Sequence, residues 1–272
     1  MGKLKDKVVF MTGGSRGIGR AIALRFAQDG ARIALAAKTS DPHPKLEGTI
    51  HSVAREIEAA GGQALPLQVD VRDEDALRNA VEETVEEFGG LDILVNNASA
   101  ISPTGLLGTP ASRFDLLQTI NLRGTYLCGQ FAMPHLVKAE NPHILTLSPP
   151  ISTQGTWYGR YLAYAISKYG MTMCTLGFAE EFREQGVAAN SLWPRTMIST
   201  DAVRVYYPED YATGRKPDIM ADAAYAIVTK DSRKFSGNAV IDEDFLRQEG
   251  VTDFTHYAMD PSAELALDIL ID

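Results

Sequence analysis

The sequence predicts an α/β protein: a single doubly wound domain, with a mostly parallel sheet of about seven strands and helices on both faces. Three observations predict it. Short apolar runs alternate with helix-periodic segments from the first residues onward, the pattern of a parallel sheet covered on both sides. The apolar runs are continuous instead of alternating with polar residues, as strands buried on both faces require. A glycine-rich turn, Met11-Thr12-Gly13-Gly14-Ser15-Arg16-Gly17-Ile18-Gly19, joins the first strand to the first helix.

The elements follow in order. Val8-Val9-Phe10 is a strand, and Ile18, Ile22, Ala23 and Phe26 give the next segment a helical face. Arg32 to Ala37 is a second buried strand ending at Lys38. Thr39 to Gly48 is then a loop of turn formers, long enough to be functional, in which His43 reads as a solvated loop residue. A helix runs to about Ala60 and stops at Gly61-Gly62. Ala64 to Val69 is a third strand with Asp70 at its end. Asp73-Glu74-Asp75 opens a helix, placing carboxylates where the helix dipole favours them; its later acidic residues are a solvated face. Leu91 to Val95 leads into Asn96-Asn97-Ala98-Ser99. One long helix is expected from about Ser112 to Lys138, with Asn121 near its middle and a kink or break at Pro134. Ile144 to Ser148 is a fifth strand, stopped by Pro149-Pro150, and a second long helix covers about 158–184. Val187 to Trp193 is the sixth strand. Residues 196–214 form a loop with a short helix or two, a helix follows through 221–228, and Asn238 to Ile241 is a seventh strand at the edge.

Composition narrows the function classes. A chain of 272 residues with a net charge of −9 is poorly suited to nucleic acid or an anionic membrane surface. No apolar run reaches the length of a membrane span, and no signal peptide is evident. Cys128 and Cys174 sit in apolar helical stretches and read as reduced thiols, so a cytoplasmic location is expected. No metal site is indicated.

Two clusters carry chemistry. The glycine turn suits a pyrophosphate: its glycines let backbone approach the ligand, and the free N–H groups of the helix start face the anion. Taken alone, it reads equally well as a structural turn. Tyr164-Ala165-Ile166-Ser167-Lys168 places a phenol and an ammonium four residues apart on one helix face. A free phenol titrates near 10; a neighbouring ammonium favours the phenolate and makes a tuned acid–base group.

In this order and separation, the two clusters resemble the short-chain dehydrogenase/reductase family, a Rossmann fold, over nearly the whole chain. Thr12 to Gly19 resembles its cofactor turn, Asp70 the aspartate beside the adenine, and Asn96-Asn97-Ala98 its Asn-Asn-Ala-Gly motif, with Ser99 in place of the glycine. Asn121, Tyr164 and Lys168 match its catalytic set. Ala37-Lys38-Thr39, Pro42-His43-Pro44-Lys45-Leu46, Asn97 to Ser102, Leu147-Ser148-Pro149-Pro150 and Trp193-Pro194-Arg195-Thr196 resemble the hydroxysteroid-dehydrogenase-like branch. Animal members of that branch can carry a C-terminal sterol-carrier-like domain, and none is expected within these 272 residues. A single domain is expected, with a cofactor half over about 1–148 and a catalytic and substrate half over about 149–272.

The resemblance implies hydride transfer between a nicotinamide and a carbonyl or secondary alcohol. It implies cofactor contacts at Gly13, Gly14, Ser15, Arg16, Gly17, Ile18, Gly19, Lys38, Asp70, Val71, Asn97, Ala98, Tyr164, Lys168, Pro194, Thr196 and Ile198. It implies catalytic roles for Tyr164, Lys168 and Asn121, and a small-molecule substrate. The family serine has no clean counterpart: its usual position holds Ile151, strand-end alignment puts Pro149 there, and Ser148, favoured as the better-fixed hydroxyl, competes with Ser152 and with neither. Arg195 replaces a usual glycine, and Asp242-Glu243-Asp244 replaces a usual Asp-Gly-Gly at the last strand. No carboxylate ends the second strand, whereas Lys38 and Arg16 are cations suited to a 2′-phosphate, so NADP(H) is expected over NAD(H). Trp157, Tyr158, Tyr161, Trp193, Tyr206 and Tyr207 suggest an aromatic wall for an apolar, lipid-like substrate. The helices 112–138 and 158–184 are expected to pair in a homodimer or homotetramer. The competing reading is a regulatory nucleotide-binding protein that has lost efficient catalysis; a sugar-nucleotide epimerase or dehydratase ranks below both.

Overall fold

The computed structural model describes residues 2–42 and 46–271. His43, Pro44 and Lys45 lie outside the described residues, as do Met1 and Asp272. Seven strands form one sheet: β1 (Val8–Thr12), β2 (Arg32–Ala37), β3 (Gln63–Gln68), β4 (Ile93–Asn96), β5 (His143–Thr146), β6 (Ala188–Trp193) and β7 (Ala239–Ile241). Their order is β3-β2-β1-β4-β5-β6-β7, and every pairing is parallel. The central strands are buried along their whole length, so helices must cover both faces.

The helices are α1 (Gly17–Ala27), α2 (Ile50–Ala59), α3 (Glu74–Phe88), α4 (Ala111–Leu117), α5 (Gly124–Leu136), α6 (Gly155–Glu181), α7 (Asp201–Tyr206), α8 (Asp218–Val228) and α9 (Asp242–Gln248). Helices α1, α2, α8 and α9 cover one face, where Phe26, Ile57, Ile227 and Phe245 share a core. Helices α3, α5 and α6 cover the other, through Leu77, Leu127, Phe131 and Phe178. Local signals set the ends: Thr49 and Ser52 cap α2 reciprocally, Asp73 accepts from Ala76 N at the start of α3, and Gly89 closes α3 at φ 84°.

The expected helix 112–138 is divided. Residues Gln118–Arg123 form a π-helical turn between α4 and α5, and Asn121 lies on that turn. Pro134 sits inside the last turns of α5 and does not break it, because the helix ends two residues later. The second long helix spans 155–181 and kinks at Tyr161 (φ −136°, ψ 38°).

The last residues form a strap across the carboxyl ends of the strands. Met197 N donates to Ala266 O (2.9 Å), Asp268 N to Arg195 O (3.0 Å), and Trp193 Nε1 to Ile269 O (3.0 Å). These bonds seat Ile269 and Leu270 in a third apolar cluster with Leu117, Tyr164 and Trp193. Among the described residues no helix is long and apolar enough to cross a membrane, and no group of three or more His, Cys, Asp or Glu is placed to hold a metal ion.

At the opposite end of the sheet His143 is buried on β5, with Nε2 facing Lys230 O at 3.1 Å. Burial pushes its pKa down to about 4. Between the ordinary histidine value and pH 4 the unfolded chain therefore binds a proton that the folded chain refuses, so stability falls as pH falls through that window. Urea melts should show wild type losing up to about 3 kcal/mol more than His143→Gln between pH 7 and pH 4; parallel losses would contradict this.

Candidate active site

The strand order reverses at β1 and β4, and a cleft opens beyond the carboxyl ends of these strands, where open α/β sheets bind ligands. Thr12 holds the two sides of this junction together. Its Oγ1 accepts from Asn97 N (3.2 Å) and Ala98 N (3.1 Å), while the Asn97 carboxamide donates to Gly13 O at 2.8 Å. The glycine turn is shaped for close approach: Gly13 has φ 72°, and a Cβ there would meet Ala98 Cα at 2.8 Å.

Gly13, Arg16, Gly17, Ile18, Asn97 and Ala98 line the cleft at this end, and Tyr164, Lys168, Pro194 and Ile198 line it at the other. Gly14, Ser15 and Gly19 are buried beneath the turn as its packing floor. Arg16 donates to Gly48 O (3.1 Å), and its Nε is buried without a partner. Gly48 has φ 91° and lies against Ser15 O, so the long loop folds back onto the turn there.

The remaining expected contacts are placed differently. Lys38 is exposed at the end of β2. The Asp70 carboxylate is held by Arg72, whose Nη2 donates at 2.6 Å and which lowers the carboxyl's pKa. Val71 is buried in the core on the α3 and α5 face. Thr196 is buried and bridges to Leu267 of the strap. Of the six aromatics read as a wall, Trp193 and Tyr207 line the cleft; Trp157 stacks on Tyr161 and Tyr158 packs on Tyr169.

Tyr164 and Lys168 project from α6 into the cleft, and both are buried. Lys168 Nζ donates to Leu147 O at 2.9 Å and lies 6.0 Å from the Tyr164 ring centre and 5.1 Å from that of Trp193. Burial pushes the lysine pKa down to about 7, opposed by Asp268. It pushes the phenol well above its ordinary value, and Ser99 is the side chain that opposes this shift. The ammonium is the expected tuning group, but burial sets the phenol's shift.

Asn121 is fully buried behind this pair. Its Oδ1 accepts from Ala100 N (2.7 Å), and its Nδ2 donates to Ala100 O (3.0 Å) and Ser167 Oγ (2.9 Å). Ser167 Oγ in turn donates to Tyr164 O at 2.8 Å. The carboxamide thus ties the loop after β4 to the helix carrying the tyrosine.

Ser148 does not face the cleft. Its hydroxyl is fully buried, donates to Ser191 Oγ (3.1 Å) and accepts from Thr172 Oγ1 (2.8 Å). The favoured serine is therefore spent inside the fold, where the strand end turns it towards β6 and α6. Ser152 Oγ accepts from Gln154 N at 3.0 Å, at the entry to α6.

Among the cleft residues outside the sequence candidates, two act on the Tyr164–Lys168 pair. Ser99 lines the cleft beside Tyr164, and its presence in place of a motif glycine was the visible signal. Asp268 lines it from the strap, its carboxyl held well above the usual range by burial and opposed by Ile269 N and Lys168. No local pattern marks Asp268, because the strap has little regular structure.

Comparison with known proteins agrees with this geometry. Residues 7–210 match the family model described as short chain dehydrogenase. Hydroxysteroid dehydrogenase-like protein 2 of Danio rerio is 56% identical over 272 residues, which is all of this chain and 65% of that protein. The rat (Rattus norvegicus) protein of the same name is 54% identical, and the chain spans only 52% of its length. A short chain dehydrogenase of Mycobacterium thermoresistibile has a TM-score of 0.94 at 52% identity, covering 99% of this chain and 96% of that one. Among more distant solved structures, a metagenomic short-chain oxidoreductase in complex with NADP has a TM-score of 0.72 at 29% identity, over 88% of this chain and 97% of that one. A short chain dehydrogenase of Mycobacterium paratuberculosis bound to NAD shares the fold at 24% identity and TM-score 0.73, over the same shares. By family match, by fold and by the groups gathered in its cleft, the chain belongs to the short-chain dehydrogenase family of oxidoreductases.

Proposed function

We propose that this chain is an NADP(H)-dependent oxidoreductase that interconverts a carbonyl and a secondary alcohol on an apolar, lipid-like or ring substrate. The observation that carries the reading is the buried Tyr164–Lys168 pair, which shares one cleft with the Gly13–Gly17 turn. The cleft fits a nicotinamide nucleotide: the turn leaves no room for a Cβ at Gly13, and the buried Nε of Arg16 lacks a partner. Bound there, that nucleotide supplies or accepts the hydride.

The chain's own groups manage binding and the proton. The turn and the start of α1 receive the pyrophosphate, with Arg16 and Lys38 on the 2′-phosphate side. Pro194 and Ile198 border the other end of the cleft. Tyr164 gives its phenolic proton to the substrate oxygen in reduction and takes one back in oxidation. Lys168, desolvated and anchored by Leu147 O, stabilises the phenolate that results. Asn121 fixes the loop that faces the tyrosine.

The part of the cleft walled by Ile101, Trp193, Val203, Tyr207 and Ile269 supports an apolar substrate. Exposed Tyr126 on α5, Met173 and Leu176 on α6, and a hollow lined by Met133, Phe178 and Phe182 support a homodimer or homotetramer through α5 and α6. Two free cysteines suit a reducing compartment such as the cytoplasm. The inward turn of Ser148 favours the second reading, a nucleotide-binding protein with weak catalysis.

Turnover separates the two. Tyr164→Phe should lower the rate of carbonyl reduction by about 10²-fold or more while NADPH affinity stays near wild type; an unchanged rate contradicts the acid–base role. By titration calorimetry NADPH should bind at least about tenfold more tightly than NADH, about 1.4 kcal/mol; equal dissociation constants would remove Arg16 and Lys38 from the phosphate site.

A further inference from the structure

We propose that Ser99, on the loop after β4, supplies the hydroxyl that holds the substrate oxygen beside Tyr164, in place of a serine from the end of β5. The inference rests on the oxidoreductase reading above and adds a residue to it.

Four observations converge on Ser99. The β5 candidate is unavailable, because the Ser148 hydroxyl is buried between Ser191 and Thr172 and the next residue is Pro149. Ser99 lines the cleft together with Tyr164 and Lys168. Its side chain opposes the upward shift that burial imposes on the phenol. Finally, the loop that carries it is fixed on both sides. Thr12 Oγ1 receives the N–H groups of Asn97 and Ala98, and Asn121 clamps both main-chain polar groups of Ala100.

Between these anchors the Ser99 hydroxyl makes only a long bond of 3.3 Å, to Ala100 O. It is exposed towards the cleft and held on a rigid platform, which is what a preorganised donor needs. A glycine at this position would place no hydroxyl in this part of the cleft.

The chemistry balances without a further reactant. In reduction the hydride adds to the carbonyl carbon, the π pair moves to oxygen, and that oxygen takes the proton of Tyr164 to leave a phenolate. Ser99 keeps its own proton throughout. It donates a hydrogen bond to the carbonyl oxygen, stronger as charge builds there, and then to the phenolate.

The test uses the full chain, NADPH, and 9,10-phenanthrenequinone as a carbonyl probe, with tyrosine labelled at Cζ with ¹³C for NMR. The resonance missing in Tyr164→Phe identifies Tyr164 and reports on the hydrogen bond whether or not the probe turns over. Ser99→Ala and Ser99→Gly should shift that resonance and lower kcat by about 10²-fold with little change in the KM for NADPH. Ser99→Thr should restore both, and Ser148→Ala should leave both near wild type. A Tyr164 resonance unmoved in Ser99→Ala, or a loss of kcat in Ser148→Ala with Ser99→Ala intact, overturns the proposal. Tyr164→Phe turning over at the wild-type rate would instead overturn the oxidoreductase reading, and the Ser99 proposal with it.

Discussion

The hydroxyl of Thr12 closes the junction on which the site depends. It sits at the end of β1, donates to Val95 O on β4, and receives the two N–H groups that follow β4. Where a parallel sheet reverses its strand order, two loops diverge and leave main-chain donors uncovered. Thr12 satisfies those donors and fixes how far the glycine turn stands from the loop of Asn97 to Ala100. Tyr164 is tied to that loop by a chain of bonds: Asn121 grips Ala100, Asn121 bonds Ser167, and Ser167 reaches the Tyr164 carbonyl. The π turn at 118–123 sets Asn121 into this chain of bonds, in keeping with the use of such turns at functional positions.

Electrostatics in the cleft is governed by burial more than by pairing. Desolvation drives Tyr164, Lys168 and Asp268 each towards its neutral form. A lysine with a pKa near 7 is easily switched by whatever charge comes beside it. The strap therefore does more than complete the core. It brings Asp268 to the Tyr164–Lys168 pair and closes one side of the cleft with Ile269.

Much of this was legible in the sequence. Continuous apolar runs and the glycine turn identified a doubly wound parallel sheet, and the spacing of Tyr164 and Lys168 identified a shared helix face. Three features were not legible, each for a physical reason. The π turn shifts the apolar repeat by a residue but does not interrupt the helical run, so 112–138 reads as one helix. The direction of Ser148 depends on how the chain leaves β5 ahead of two prolines, which periodicity does not report. Asp268 enters the cleft from the strap through bonds such as Trp193 to Ile269, which are 76 residues apart, with no local motif. Ser99 is an intermediate case: the exchange of a motif glycine for serine was plain, but its meaning required the position of the phenol.

The central claim is that one cleft, built on the Thr12 junction, holds a nicotinamide nucleotide against Tyr164. A crystal structure of the full chain with NADP tests it most directly. The account predicts pyrophosphate against the Gly13–Gly19 turn, the 2′-phosphate beside Arg16, and the nicotinamide between Ile198 and Tyr164. A nucleotide bound elsewhere, or one whose nicotinamide lies away from Tyr164 and Lys168, would contradict it.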